Sequence, residues 1–184
     1  MQALMLIDVQ NAFFDPKWGK RNNPNAEQNM LRLLQHFRVK KRKIIHIQHV
    51  SDNSSSLFYQ GETQAFQAGF EPLANEPVFQ KKVNSAFIGT ALLDYLKNQG
   101  ITELAIAGLT LPHCVSTTTR MAANYGFWVK LIENATASFP LKMPDGEEID
   151  AEQIHKINIA TLNEEFAVIL STDELIDCLE SHNI

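Results

Sequence analysis

The chain of 184 residues sets 16 Lys and Arg against 21 Asp and Glu, a net charge of −5. That balance argues against nucleic acid as the main partner, since such binders present a basic patch. No stretch approaches the ~20 apolar residues of a membrane span, and with 45% hydrophobic and 20% charged residues the length fits one globular domain, residues 1–184.

In chain order, the first apolar run, 3–8, reads as a short strand ending in the carboxylate of Asp8. It is too short for a secretory leader, so a cytoplasmic location is expected. No Gly-rich loop follows it, which removes the usual phosphate cradle of a nucleotide-binding fold. Phe13, Phe14 and Trp18 come next, each a candidate for a pocket wall and equally for the core. A helix is expected over 26–39 with Asn25 as its N-cap. The basic run 38–43 suits the negative end of that helix better than a phosphate.

A second strand, 43–49, carries His46 and His49. Three positions apart on a strand, they face opposite sides and are poorly placed to share a metal; no metal or other cofactor is expected. Residues 51–76 form a long polar connection holding Phe58, Tyr59, Phe66 and Phe70, aromatics that argue for order. A strand over 78–81 ends in Lys81, and a helix over 89–98 closes at Gly100.

The next strand, 103–108, is apolar along both faces and ends at Gly108. Pro112 suits the first turn of a helix over 112–125, which places Cys114 where a strand hands over to a helix. The positive end of the helix dipole favours a thiolate there. Alone, a single cysteine reads as readily as a small buried apolar residue. After Gly126 follow a strand at 127–133, a second loop at 138–148, a helix at 151–162, a strand at 166–170 and a helix at 173–180 with Thr172 as N-cap. Cys178 fits the apolar face of that last helix, and a disulfide framework is not expected. Either loop can wall a pocket or meet a second subunit.

Strands alternating with helices imply right-handed βαβ units and a parallel sheet covered on both faces. Asp8, Lys81 and Cys114 then share the carboxyl edge of the strands, where open α/β sheets bind ligands. Packing alone does not explain three complementary groups there.

Three segments, LMLIDVQNAFF at 4–14, KKVNSAFIGTAL at 81–92 and GLTLPHCVSTTTRMAANYGF at 108–127, make the chain resemble the isochorismatase-like cysteine hydrolases. That superfamily includes nicotinamidases, N-carbamoylsarcosine amidases and ureidoacrylate amidohydrolases, and the resemblance extends to AEQIHKINIATLNEEFAVILSTDEL at 151–175. It implies a three-layer α/β/α sandwich around a six-stranded parallel sheet of order 3-2-1-4-5-6, assembled as a homo-oligomer, dimer or tetramer. It also implies a site: Cys114 as nucleophile, Asp8 as general acid and base, and Lys81 as electrostatic activator. The family spacing to Phe87 selects Lys81 over Lys82. Backbone N–H groups of Thr110 and Cys114 would form the oxyanion hole, with Leu109–Thr110 cis, although proline logic alone would choose Leu111–Pro112. Phe13, Phe14, Trp18, His49 and His113 would line the substrate pocket.

The implied reaction is hydrolysis of a C–N bond in a small amide or carbamoyl compound through a Cys114 thioester. The chain lacks the further histidines with which nicotinamidases hold a metal, and true isochorismatases, which cleave a vinyl ether, generally lack the cysteine. A vinyl-ether hydrolase and a catalytically silent binding module of the same fold are the alternatives. Fold alone separates none of these.

Overall fold

A computed structural model describes residues 1–181. Strands β1 (Gln2–Ile7), β2 (Lys43–His49), β3 (Val78–Lys81), β4 (Glu103–Leu109), β5 (Trp128–Ala137) and β8 (Val168–Leu170) form an all-parallel sheet in the order β3-β2-β1-β4-β5-β8. This is the expected order, with the chain's last strand in sixth place. One pair was not expected: β6 (Leu141–Lys142) and β7 (Glu148–Ile149) form an antiparallel ribbon within the 138–148 loop and its edge. Among the described residues five α-helices flank the sheet, α1 (Ala26–Val39), α2 (Leu92–Asn98), α3 (Ser116–Asn124), α4 (Ala151–Leu162) and α5 (Thr172–Ser181).

Strand alternation divides the apolar residues between two cores. From β1, Leu4 and Leu6 pack against Met30, Leu34 and Phe37 of α1 and Leu175 of α5. Met5 and Ile7 face the opposite layer, with Leu96 of α2, Ala122 of α3 and Leu162 of α4. Both faces of β1 are dry, so its sequence is a continuous apolar run rather than an alternating one.

Local differences from expectation have local causes. The helix expected from 89 begins at Leu92, because Gly89 takes a φ of +71° and the Thr90 hydroxyl accepts the Leu92 N–H first. Thr172 is inside α5 instead of capping it. Ser171 takes the cap: its Oγ accepts the Glu174 N–H while the Glu174 carboxylate accepts the Ser171 N–H, a reciprocal capping box. Asn25 precedes α1, but its side chain makes no capping hydrogen bond. The helix expected from Pro112 opens as a π-helical turn, Leu111–Val115, before continuing as α3. Among the described residues no helix is long and apolar enough to cross a membrane.

Candidate active site

Glycine brings the strand ends together. Gly108 lies opposite Ile7 in the β1–β4 register, and a Cβ built on it would stand 2.2 Å from the Ile7 carbonyl oxygen. Only a residue without a side chain allows this approach. The register between β4 and β5 shifts at the same point, between Ile106 and Gly108. Beyond it the chain turns through a cis Leu109–Thr110 peptide into the π-helical turn that carries Cys114.

Asp8 follows β1 directly, fully buried and with a φ of +52°. Its Oδ2 accepts from Lys81 at 2.7 Å, while Oδ1 is buried without a hydrogen-bond partner. Lys81 ends β3, two strands away, and its stem spans β2 with the side chain wholly buried. The ammonium meets two further acceptors, His49 Nδ1 at 2.9 Å and Cys114 Sγ at 3.2 Å. A lysine ammonium carries three N–H bonds, and each has one acceptor here. The structure thus gathers Asp8, Lys81 and Cys114 around one nitrogen. Lys82 points outward to an exposed pair with Asp52.

Electrostatics correct one expectation. Burial pushes the Cys114 thiol up to about 12, the Asp8 carboxylate adds to the rise, and Lys81 only partly opposes it. The sulfur is buried within the π-helical turn, and desolvation there favours the uncharged thiol. Burial likewise lowers the His49 imidazole, and the adjacent ammonium lowers it further. The oxygen of Asp8, the nitrogen of His49 and the sulfur of Cys114 lie within 4.8 Å of one another, a spacing a metal ion could use. Lys81 already places a cation of the chain's own among them.

Above these groups opens a cavity of about 220 Å³. Phe13, Trp18 and Phe58 form its apolar wall, with ring centroids 5.4 Å apart for Phe13–Trp18 and 5.5 Å for Phe13–Phe58. Phe139 stacks behind Phe13, so the 138–148 loop backs this wall. His49 and His113 also line the cavity, and the Nδ1 of His113 lies 3.0 Å from the Thr110 hydroxyl. Phe14 does not belong to it: the short 3-10 turn Asn11–Phe14 buries Phe13 and leaves Phe14 66% exposed. His46 is also elsewhere, buried and bonded to Glu76.

Sequence reasoning assigned no site role to Phe58 or Asn84, both of which line the cavity. Phe58 belongs to the 51–76 loop, whose position no local pattern fixes. Asn84 stands between Lys81 and Ser85-Ala86-Phe87, and its Oδ1 lies 3.8 Å from the Cys114 sulfur. A larger hollow of about 430 Å³ lies among Asn23, Glu133, Glu152 and His155, but neither Cys114 nor Lys81 borders it.

Residues 2–174 match the model of the isochorismatase domain. An uncharacterised isochorismatase family protein of Bacillus subtilis, YrdC, is 48% identical over 98% of both chains. A streptothricin hydrolase of Streptomyces noursei is 31% identical over 79% of this chain and 58% of its own length. Among solved structures, an isochorismatase-family hydrolase from Chromobacterium violaceum superposes with a TM-score of 0.95 at 38% identity, covering 100% of this chain and 94% of that one.

Proposed function

Because this chain belongs to the isochorismatase family, we propose that it is a cysteine hydrolase that opens a C–N bond of a small amide or carbamoyl compound. One observation carries the reading: a single buried ammonium, Lys81, donates to both the Asp8 carboxylate and the Cys114 sulfur. Streptothricin hydrolase, among the relatives, is named for the hydrolysis of streptothricin.

The free Oδ1 of Asp8 takes the thiol proton as sulfur adds to the substrate carbonyl. Lys81 holds the resulting sulfur charge, which is why a thiol this high can still react. The backbone N–H groups of Thr110 and Cys114, both of which line the cavity, are the proposed donors to the carbonyl oxyanion, a term worth about 3 kcal/mol per donor in well-studied cases. Collapse breaks the C–N bond, and the departing nitrogen takes the proton from Asp8. Water then adds to the thioester and passes a proton to Asp8. As the C–S bond breaks, the acid product leaves and the thiol regains that proton.

A vinyl-ether substrate derived from chorismate finds less support. Its carboxylates need cationic partners, and Lys81, the one lysine or arginine this close to Cys114 among the described residues, has all three N–H bonds occupied. The test is intact-mass spectrometry during turnover of a panel of amides, ureas and N-carbamoyl compounds. The expected result is an acyl adduct on Cys114 that is absent from Cys114→Ala and does not form in Asp8→Asn. Turnover that survives Cys114→Ala would refute the reading.

A further inference from the structure

We propose that His49 is a specificity determinant, a hydrogen-bond donor of fixed tautomer that selects substrates with a second acceptor next to the scissile carbonyl. The inference rests on the hydrolase reading above. It begins with the protons of Lys81, whose three N–H bonds point to Asp8 Oδ2, His49 Nδ1 and Cys114 Sγ. A nitrogen that accepts from an ammonium at 2.9 Å bears no proton, so the proton of the neutral ring sits on Nε2. The buried cation thus imposes the tautomer through the hydrogen bond it makes to Nδ1.

That Nε2–H has no protein acceptor among the described residues, and unlike Nδ1 of His46 or His155 it is not a buried orphan. The side chain lines the cavity with 18% of its surface open, and Phe58 packs against the ring at 4.9 Å and restrains it. Two other polar atoms of the lining are engaged: the Trp18 indole N–H donates to the Ala12 carbonyl, and His113 Nδ1 is paired with Thr110. Asn84 stands exposed beside Cys114. His49 Nδ1 is 4.0 Å from the sulfur, so a carbonyl carbon under attack lies close to the imidazole. An acceptor one or two bonds beyond that carbon is then within reach of Nε2. Between isosteric amides the cavity would favour the one with an ether or hydroxyl oxygen there, because its rival leaves the Nε2–H unsatisfied.

Two measurements test this. Nitrogen NMR of histidine-labelled native protein should show His49 as the Nε2–H tautomer, changing to a mixture in Lys81→Met. An Nδ1–H tautomer in the native protein overturns the proposal. Binding of methoxyacetamide and butyramide, which share shape and amide group, is then compared on Cys114→Ala by NMR titration. A preference for methoxyacetamide of about three- to tenfold is expected, the worth of one net hydrogen bond. His49→Asn keeps an acceptor for Lys81 but has no Nε2–H, and should abolish the preference, read as the ratio of the two affinities within that variant. Equal binding of the pair, binding of neither, or a preference surviving His49→Asn overturns it. The tautomer and the preference together, without any acyl adduct on the native enzyme, would uphold this contact and refute only the hydrolytic reading.

Discussion

A cysteine beside a lysine and a carboxylate invites the assumption of a resting thiolate, and burial argues otherwise. With the thiol raised to about 12, alkylation of Cys114 by iodoacetamide should climb about tenfold per pH unit and show no plateau below pH 11. A plateau near neutrality would mean that Lys81 outweighs desolvation. The same shift affects stability: the protonated thiol contributes fully below the unfolded value of about 8.5, and that contribution is lost as pH rises toward 12. Lys81→Met strands the fully buried Asp8 charge, and should cost about 3–5 kcal/mol, seen in calorimetry as a Tm lower by about 10 °C. Adding Asp8→Asn should recover part of that loss. The sequence motifs named Asp8, Lys81 and Cys114, because strand-end chemistry is local. They missed the proton arrangement, because which nitrogen of His49 faces Lys81 depends on three strands at once.

At the level of elements, the 51–76 loop is held by charge as well as by its aromatics. Glu76, at its end, accepts from both sides of the Arg38 guanidinium of α1, at 2.8 Å each, and from His46 of β2 at 2.9 Å. Burial raises the Glu76 carboxyl, but Arg38, the Leu73 N–H and His46 outweigh it and hold the group at about 2. This stability is therefore present above the unfolded value of about 4.3 and lost as pH falls toward 2. Glu76→Gln should cost about 2–3 kcal/mol in urea unfolding at pH 7, less than a fully buried pair because Arg38 is 24% exposed. The native and variant curves should converge near pH 2; a gap unchanged there would rule out the ionised strap. Gly108→Ala is the severe case: with the Ile7 backbone 2.2 Å from the new Cβ, the loss should exceed about 4 kcal/mol, read as insoluble expression or a collapsed Tm. Ranges for α1, β2, β3 and α4 were legible to the residue because the hydrophobic pattern starts and stops sharply there. The π-helical turn and the β6–β7 ribbon were not, because the turn forms where β4 leaves the sheet and each ribbon strand has only two residues, too few to show a period.

For the whole molecule, the two tryptophans report from different places. Trp18 walls the cavity, while Trp128 is 62% exposed on the first residue of β5. Saturation with an amide ligand should therefore change a fluorescence signal that Trp18→Phe abolishes and Trp128→Phe leaves intact; the reverse pattern would move binding elsewhere. The sheet order was legible from the alternation of elements and the family resemblance, whereas the wall was only half legible. Phe13 and Phe14 are neighbours of the same type, and only the turn they occupy decides which faces inward.

The central position of β1 sets a timetable. Its register with β4 pairs Gln2 with Glu103 and Leu4 with Ala105, across about a hundred intervening residues. At roughly 5–20 residues per second, a growing chain holds one edge of its most apolar strand unpaired for on the order of 10 s. Such long-range closure folds slowly, so this protein's exposure to aggregation and its need for chaperone cover are concentrated in the interval before β4 leaves the ribosome.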